Sequence, residues 1–303
     1  MADPNMFLKA MAFTKTAHRD IYPAVQPTRP ELSQAGKVIV ITGATRGLGR
    51  SFAIAFAHAR AGAIALLGRS ADALAETAKL VKEISPATRT LCIVVDVLDE
   101  AGIGAAFQKI TAEIGVPDVL INNAGHCELE TIADASVESF WKVQEVNVKG
   151  VLIVTKAFLT SIEPNTSSTT EESHPSQPQK TILNLTSIST QSTAATLDSY
   201  TISKSALNKF TQFLAAEHPS LTSINLDPGM VPTDMGSSVD MIAPFMFDTP
   251  ELAAGGAVWL CSGDKRFLSG RYVSVNWDVE EIEARREEIV REDLLVEAGR
   301  LVT

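Results

Sequence analysis

Seven short runs of apolar and β-branched residues recur along the chain, and longer stretches with helical periodicity separate them. Runs of this length and composition are typical of buried β-strands. They cover residues 38–42, 64–67, 91–95, 119–121, 182–185, 223–226 and 272–275. Because strands that alternate with helices pair in parallel through right-handed crossovers, the sequence predicts an α/β fold. We expect a doubly wound, seven-stranded parallel sheet flanked by helices in three αβα layers.

A single domain is predicted over residues 37–277. Residues 1–36 contain four prolines and no sustained periodicity, which indicates an N-terminal arm lying over the domain. Residues 163–180 are all Pro, Ser, Thr, Asn, Gln, Glu, His or Lys, a composition that cannot bury apolar surface. We expect this insertion to be a mobile surface loop, and a domain linker and an active-site lid are the alternatives.

The formal net charge is −10, and residues 278–303 contribute nine acidic residues against four arginines. Spacing of four between Glu281 and Arg285, and between Glu287 and Arg291, predicts an acidic, solvated C-terminal helix. The negative balance argues against a nucleic-acid partner, because phosphate binding needs a concentrated positive field.

The three cysteines, Cys92, Cys127 and Cys261, form no Cys-x-x-Cys pair, so the sequence predicts neither a disulfide framework nor a zinc site. No segment approaches the about 18 consecutive apolar residues of a membrane span. The N-terminus has no basic region followed by an apolar run. We therefore expect a cytoplasmic protein with no membrane partner.

A glycine-rich turn follows the first predicted strand, in the order Thr42-Gly43-Ala44-Thr45-Arg46-Gly47-Leu48-Gly49, and a helical apolar pattern begins directly after it. Glycines let the backbone turn tightly and approach a pyrophosphate, and a helix N-terminus offers unpaired N–H groups and partial positive charge. An ordinary tight turn is the alternative. The strand before it and the helix after it favour a Rossmann-type dinucleotide site.

The end of the second predicted strand bears on the choice between NAD and NADP. NAD-selective proteins of this fold place an acid there, whereas NADP needs positive charge for its 2′-phosphate. The chain has Gly68-Arg69-Ser70 at this point, and Arg46 lies in the glycine turn. Arginine suits bidentate phosphate binding, so the sequence favours NADP(H); the alternative is two ordinary surface arginines.

Tyr200 and Lys204 stand four residues apart in a helical pattern, which places the phenol and the ammonium on one helix face. A tyrosine with the ordinary pKa of about 10 is a poor acid–base catalyst at neutral pH. A cation at roughly 4 Å contributes about 4 kcal/mol at an effective dielectric constant near 20, equivalent to about three pKa units. Tyr-x-x-x-Lys pairs are common on helix surfaces, so this pair alone does not distinguish a catalytic site from an ordinary helix surface. The neighbouring motifs make that distinction.

Six motifs together resemble the short-chain dehydrogenase/reductase family, in the right order over roughly residues 36–277. The glycine turn has the family's Thr-Gly-x-x-x-Gly-x-Gly spacing, and Asn122-Asn123-Ala124-Gly125 closes the fourth strand. Pro228-Gly229-Met230-Val231-Pro232-Thr233 follows the sixth strand and matches Pro-Gly-x-x-x-Thr. The arm and residues 276–279 resemble a branch abundant in filamentous fungi.

The resemblance implies four catalytic residues: Ser187, Tyr200, Lys204 and Asn147. Ser187 stands thirteen residues before Tyr200, and the two side chains would hold the substrate carbonyl while Tyr200 donates the proton. Thr186 and Ser189 are neighbours that could be confused with Ser187, and the family's spacing favours Ser187.

The same resemblance implies NADP(H) as the cofactor. Its binding residues would be Gly43, Thr45, Arg46, Gly47, Leu48, Gly49, Arg69, Asp96, Val97, Asn123, Ala124, Gly125, Tyr200, Lys204, Val231 and Thr233. Asp96 would contact the adenine ring, and Val231 and Thr233 the nicotinamide carboxamide. Lys204 would hold the nicotinamide ribose and acidify the phenol, and Asn147, on a helix, would support a water and proton path to the lysine.

The activity implied by the resemblance is that of an NADP-dependent oxidoreductase that interconverts a carbonyl and an alcohol. We expect a small, apolar or secondary-metabolite substrate and a homo-oligomer, either a dimer or a tetramer. One alternative is a non-redox enzyme of the same fold, such as an epimerase, dehydratase or cyclase, and another is an idle NADP-binding protein. The intact catalytic set argues against the idle protein.

The substrate pocket should be formed by His126, Cys127, residues 193–197 and residues 230–247. Five apolar side chains in the last range suggest an adaptable lid. They are Met235, Met241, Phe245, Met246 and Phe247. Packing as core or as a subunit contact is the alternative.

Overall fold

The computed structural model describes residue 3 and residues 5–163, 179–233 and 243–297. Seven strands form one parallel sheet in the order β3-β2-β1-β4-β5-β6-β7. The strands are β1 Val38–Thr42, β2 Ala63–Gly68, β3 Arg89–Val94, β4 Val119–Asn122, β5 Thr181–Leu185, β6 Thr222–Asp227 and β7 Tyr272–Ser274. The predicted seven-stranded, Rossmann-type parallel sheet is confirmed.

Ten α-helices accompany the sheet in the described part of the chain. They are α1 Met6–Ala10, α2 Gly47–His58, α3 Ala71–Ile84, α4 Glu100–Glu113, α5 Val137–Gln144, α6 Gly150–Ile162, α7 Asp198–Glu217, α8 Pro250–Leu260, α9 Val279–Ala284 and α10 Arg286–Arg291. A π-helical turn, Glu145–Lys149, joins α5 to α6. Several helices begin at a side-chain cap, because Ser70, Asp99, Ser136 and Thr249 each accept a hydrogen bond from an N–H three residues on.

The helices cover both faces of the sheet, which gives the expected three layers. On β1, Ile39 and Ile41 belong to one hydrophobic core, and Val38 and Val40 belong to the other, because successive side chains of a strand point to opposite faces. The first core includes side chains of α2 and α8, and the second includes side chains of α4 and α6. Burial on both faces explains why the central strands are continuous apolar runs.

Three predicted strands differ from their observed bounds at both ends: β2 and β6 are each one residue longer at either end, and β3 is displaced toward the N-terminus. We expected β3 at residues 91–95, and it runs from Arg89 to Val94. Arg89 pairs with Ala63 at the start of β2. Because β3 is an edge strand with partly exposed side chains, polar residues extend it without a burial cost, and an apolar pattern cannot mark its start.

The C-terminal segment differs from the solvated helix that we expected. It forms two short helices, α9 and α10, and the side chains of Val279, Ile282 and Ile289 are buried in the first core. The ion pairs also differ, because Arg285 pairs with Glu288 and Arg291 with Glu292.

Glu281, the partner that we expected for Arg285, faces the N-terminal arm. Its carboxylate accepts hydrogen bonds from the backbone N–H groups of Lys15 and Thr16. The Arg285 guanidinium donates to the carbonyl of Phe13 and lies 3.9 Å from the centre of that ring. The arm and the C-terminal segment thus hold each other against the domain.

No helix among the described residues is both long and apolar enough to cross a membrane. The predicted insertion at residues 163–180 lies almost wholly outside the described residues, since 164–178 are not among them.

Two adjacent residues of α10 test the packing of the C-terminal segment. Ile289 is fully buried, whereas Val290 is 54% exposed. We expect Ile289→Ala to lower the free energy of unfolding by about 2–5 kcal/mol, because it leaves a cavity in the core. The matched control, Val290→Ala, should change it by less than about 0.5 kcal/mol. Urea unfolding of both variants measures the difference, and equally small effects would show that the segment is peripheral.

Candidate active site

The site lies at the edge of the sheet where the parallel strands end, next to β1. In the sheet β1 has β2 on one side and β4 on the other, so the direction of winding reverses there. In open α/β sheets a crevice forms at such a switch point. Here Thr42 joins the two motifs that border it: its hydroxyl accepts hydrogen bonds from the backbone N–H groups of Asn123, at 3.0 Å, and Ala124, at 3.1 Å. The Asn123 amide donates in return to the Thr42 carbonyl at 2.8 Å. The predicted glycine turn and the Asn-Asn-Ala-Gly motif are therefore held side by side.

The glycines of the turn are required for two different reasons. A Cβ on Gly49 would lie 2.2 Å from the Gly43 carbonyl oxygen, and one on Gly43 would lie 2.9 Å from the Asn123 amide nitrogen, so neither position has room for a side chain. Gly47 has a φ of +52°, which favours glycine, and it begins α2. The nearest atom to a Cβ there is the Thr233 methyl carbon at 3.9 Å, so the start of the helix faces open space bordered by Thr233.

Thr45 and Leu48 complete the turn. The Thr45 carbonyl accepts a hydrogen bond from Arg50 at 2.7 Å, and its methyl group lies against Gly68 at the end of β2. Leu48 packs against the first core. These two residues therefore fix the turn from beneath, on the side away from the open space.

The predicted adenosine end brings Arg69 and Asp96 together. The Arg69 guanidinium nitrogen lies 3.9 Å from an Asp96 carboxylate oxygen, and the Arg69 side chain is 81% exposed. Exposed ion pairs contribute little stability, so Arg69 is free to turn toward another anion. Arg46 is exposed at the N-cap of α2. The Val97 side chain packs against Gly150, the first residue of α6. Val97 thus serves as a packing residue beneath the crevice.

The Tyr200 and Lys204 side chains lie one turn apart near the start of α7. The Lys204 ammonium donates to the carbonyl of Leu185, the last residue of β5, at 2.6 Å and lies 5.5 Å from the centre of the Tyr200 ring. The Ser187 side chain, two residues beyond β5, lies close enough to Tyr200 to affect the pKa of its phenol. Three of the four predicted catalytic residues therefore meet at the carboxyl end of β5.

Buried polar side chains fix α7 against the strands. The Asn184 amide on β5 accepts from Asn122 on β4 at 2.8 Å and donates to the Thr211 hydroxyl on α7 at 2.8 Å. That hydroxyl donates in turn to Asn225 on β6 at 2.6 Å. Since all four side chains are buried and bonded to one another, a shift of α7 would break several hydrogen bonds at once.

Burial sets the protonation of both titratable groups of the pair. It raises the pKa of Tyr200 well above the usual range; Cys127 and Asp227, negative when ionised, add to the shift, and the Ser187 side chain opposes it. Burial also lowers the pKa of Lys204 to about 8. Desolvation of the phenolate is the largest cause of the shift in the pKa of Tyr200. Tyr200 is therefore protonated at neutral pH, in the form that can donate a proton.

Asn147 lies in the π-helical turn between α5 and α6, and its side chain is fully buried. Its oxygen accepts from the backbone N–H of His126 at 2.8 Å, and its nitrogen donates to the His126 carbonyl at 2.8 Å and to the Ser203 hydroxyl at 2.9 Å. The π-turn points the amide inward, so a residue that would weaken a regular helix holds the loop after β4 beside α7.

The neighbours of Ser187 have different surroundings. The Thr186 hydroxyl is buried and donates to the Asn208 side chain at 2.6 Å, away from Tyr200. The buried Ser189 hydroxyl has no hydrogen-bond partner among the described residues. Of the three hydroxyl groups, that of Ser187 is the one that affects the pKa of Tyr200.

Asp227, at the end of β6, is a buried residue of the site that the sequence reasoning missed. One carboxylate oxygen accepts from the N–H groups of Ile188, at 3.2 Å, and Gly229, at 3.4 Å, and the other accepts from the Tyr272 hydroxyl at 2.8 Å. It thereby joins the segment after Ser187 to the turn that leads to Thr233. An acid directly before the Pro228-Gly229 turn was the available signal.

Part of the expected substrate pocket packs elsewhere. Phe245 is buried edge-on against Phe7 of α1, with ring centres 5.0 Å apart, and the Arg19 guanidinium lies 5.4 Å from the Phe247 ring centre. Both side chains contact the arm, but only Phe245 packs as core, since Phe247 is 53% exposed. Met235 and Met241 lie outside the described residues.

The loop after Gly125 remains beside the catalytic set. His126 bonds to Glu128 at 2.7 Å, and burial raises the pKa of the Cys127 thiol to about 11. Glu130 forms a bridge with Leu197, which brings this loop and residues 193–197 together as expected for two walls of one pocket.

Comparison with known proteins supports this arrangement. A sequence model described as short chain dehydrogenase matches residues 37–241. The short chain dehydrogenase mpl6 of Monascus purpureus is 35% identical over 285 residues, covering 92% of this chain and 93% of that protein. The short chain dehydrogenase andI of Emericella variicolor is 33% identical over 291 residues, covering 93% and 94%.

Solved structures show the same fold at lower identity. A short chain dehydrogenase from Shigella flexneri 2a, complexed with NADP, matches with a TM-score of 0.72 and 22% identity, covering 82% of this chain and 99% of that one. A 7α-hydroxysteroid dehydrogenase, complexed with NADH and 7-oxo-glycochenodeoxycholic acid, matches with a TM-score of 0.71 and 22% identity, covering 84% and 97%. The fold, the family match over residues 37–241 and the fungal relatives together show that the chain belongs to the short-chain dehydrogenase/reductase family.

Proposed function

We propose that the protein is an NADP(H)-dependent oxidoreductase that interconverts a carbonyl and an alcohol, with Ser187, Tyr200, Lys204 and Asn147 as its catalytic set. The observation that carries the proposal is the meeting of Ser187, Tyr200 and Lys204 at the end of β5, with the Tyr200 phenol protonated. A protonated phenol beside a hydroxyl group is a pair of groups suited to bind one carbonyl oxygen.

The residues present fit a dinucleotide. The helix that begins at Gly47 faces open space with its N–H groups, and Gly43 and Gly49 allow the backbone to come close there. Thr233 borders the same space, and Lys204 lies farther along the crevice. The glycine turn would hold the pyrophosphate, Val231 and Thr233 the nicotinamide, and Lys204 the adjoining ribose.

A bound nicotinamide supplies or accepts hydride at the substrate carbon. In reduction, the Ser187 hydroxyl orients the carbonyl oxygen and Tyr200 gives it a proton. The Lys204 ammonium, beside the phenol, stabilises the negative charge that Tyr200 then carries. Asn147 supports proton return to the site by holding the His126 loop in place. In alcohol oxidation the same groups act in the reverse direction.

The choice of NADP(H) over NAD(H) rests on the end of β2. Gly68 ends that strand without an acidic side chain, and Arg69 and Arg46 are exposed near it. Asp96 is the nearby acid, but its contact with Arg69 at 3.9 Å is too weak to prevent Arg69 from binding a 2′-phosphate. The Shigella flexneri relative was solved with NADP, although the hydroxysteroid dehydrogenase was solved with NADH, so the arginines carry the assignment.

Three broader parts of the proposal rest on less specific support. We infer a small secondary-metabolite substrate because the relatives in Monascus and Emericella come from filamentous fungi. We infer a homo-oligomer because Trp141 on α5 and Phe213 on α7 are 59% and 60% exposed on neighbouring helices. A cytoplasmic location is proposed from the sequence features alone.

Gly49 and Gly104 form a matched pair for the glycine turn. A Cβ at Gly49 meets a backbone oxygen, whereas one at Gly104, within α4, meets nothing within 4 Å. We expect Gly49→Ala to cost about 1–3 kcal/mol of stability and at least about tenfold in NADPH affinity. Gly104→Ala should stabilise the protein by up to about 1 kcal/mol and leave affinity unchanged. Urea unfolding and fluorescence titration measure both; normal NADPH binding by Gly49→Ala would remove the turn from the proposed site.

Arg69→Asp tests the cofactor choice. It should weaken NADPH binding about 10- to 100-fold, as loss of one charge-assisted hydrogen bond of about 1.5–3 kcal/mol would. NADH affinity in the same variant should change little, and Arg291→Asp, at another exposed arginine, should affect neither cofactor. Equal losses for NADPH and NADH would contradict the NADP assignment.

Tyr200→Phe keeps the ring and removes the proton that the mechanism donates to the carbonyl. We expect turnover to fall by about 10² to 10⁴ with little change in NADPH affinity. Lys204→Ala should lower both, because its ammonium is assigned to the ribose and to the phenol. Ser187→Ala should lower turnover, and the control Ser189→Ala should not. Steady-state kinetics on a reducible dicarbonyl and cofactor titration measure these effects; near-normal turnover by Tyr200→Phe would refute the mechanism.

A further inference from the structure

The nicotinamide end of the proposed site is held by a buried carboxylate that comes from outside the motifs. Asp248 has a side chain that is 1% exposed, and one of its oxygens accepts from the backbone N–H of Met230 at 2.7 Å. The Asp248 N–H donates to the Met230 carbonyl at 3.2 Å, so the two residues are bonded in both directions. Met230 immediately precedes the segment assigned to the nicotinamide, and Asp248 therefore fixes where that segment begins.

Gly229 brings the same carboxylate into direct contact with the turn. It has a φ of +77°, and a Cβ there would lie 2.6 Å from the Asp248 carboxylate and 3.1 Å from the Asn276 side-chain oxygen. The turn thus packs onto Asp248 with no side chain between them. A movement of Asp248 would be transmitted to Met230 and Val231 through backbone contacts.

The cation paired with Asp248 belongs to the N-terminal arm. The Arg19 guanidinium donates to the other carboxylate oxygen at 3.0 Å, and the two residues are 229 positions apart. The Arg19 carbonyl accepts from the N–H of Thr249 at 2.8 Å, and Asp20 accepts from the Thr249 hydroxyl at 2.7 Å. A buried carboxylate without a partner is costly, so the place of Asp248 depends on the arm.

The arm itself is anchored next to this pair. His18 and Asn276 are bonded in both directions at 2.8 Å, and Ala17 forms an antiparallel bridge with Trp277. The Asn276 side chain lies next to Asp248, since oxygens of both approach Gly229. The arm, the segment after β7 and the turn after β6 therefore converge on one carboxylate.

We infer that the Arg19–Asp248 ion pair positions the 228–233 segment, so that the N-terminal arm forms part of the nicotinamide end of the site; this rests on the proposed function. Arg19 and Asp248 are positioning residues, since neither faces the crevice in the way that the glycine turn does. The arm is then a component of cofactor binding rather than a cover over the domain.

The inference makes a prediction that distinguishes the two halves of the cofactor. In the full chain carrying Arg19→Ala, we expect NADPH to bind about tenfold more weakly, equivalent to about 1.4 kcal/mol. Binding of 2′,5′-ADP, which represents only the adenosine half, should stay within about twofold of wild type, because the ion pair acts on the turn after β6, whereas the adenosine half is assigned to the glycine turn and Arg69. Calorimetric titration of the purified protein measures both ligands.

Three variants make the comparison decisive. Arg29→Ala, at an arm arginine paired with the exposed Glu31, is the matched control and should change neither affinity. Arg19→Lys keeps the charge and should restore most NADPH binding. If Arg19→Ala yields no folded protein, Asp248→Asn takes its place, because an amide oxygen can still accept from Met230 but no longer carries the charge.

The outcomes separate this inference from the proposed function. Unchanged NADPH binding by Arg19→Ala, or equal losses of NADPH and 2′,5′-ADP, would overturn the role of the arm while leaving the cofactor assignment intact. Wild-type protein that binds neither ligand would overturn the proposed function and this inference together. Wild-type protein that binds NADH instead would be tested in the same way with NADH and 5′-ADP.

Discussion

Parallel pairing of all seven strands is the constraint from which the rest of the molecule follows. Strands that run in one direction end at one edge, so the residues just beyond β1, β4, β5 and β6 meet although they are far apart in sequence. The Thr42–Asn123 hydrogen bonds fix the first two ends to each other, and Asp227 connects the last two. The site is thus assembled mainly at the strand ends. The π-turn adds Asn147, and α7 adds Tyr200 and Lys204.

Burial decides the electrostatics of that edge more than any single charge does. It raises the pKa of Tyr200 and of Asp227 and lowers that of Lys204, in each case toward the neutral form. A lysine whose pKa is about 8 stays mostly protonated at neutral pH but loses its charge on a modest rise in pH. The site therefore holds a neutral phenol beside an ammonium that is costly to keep, and an anionic ligand would stabilise that ammonium.

The strands and the motifs of the site could be predicted because both leave local patterns. Buried strands are continuous apolar runs, and Tyr200 and Lys204 are four residues apart, one helical turn. The edge strand β3 lacked such a pattern, so its bounds were wrong. The C-terminal segment was predicted wrongly because charged residues dominate its composition. The spacing of Val279, Ile282 and Ile289 marks the buried face that those charges obscure. Arg19 and Asp248 could not be paired from the sequence, since 229 residues separate them and no periodicity links them.

The contacts between the arm and the C-terminal segment also affect the order in which the chain can fold. Met11, Phe13, Thr14 and His18 bond to residues 258 to 272 positions later, so these contacts close the longest hydrogen-bonded loops in the described structure. Closing a loop costs more entropy as the loop lengthens, and during synthesis residues 11–18 of the arm gain these partners only when residues 276–285 have emerged. The sheet can form before that point, whereas the anchor that holds the arm next to the Arg19–Asp248 pair is completed only afterwards. A nascent chain would therefore hold a nearly complete sheet while the arm beside the crevice is still unanchored. The cofactor crevice would be complete only after the C-terminal segment has docked.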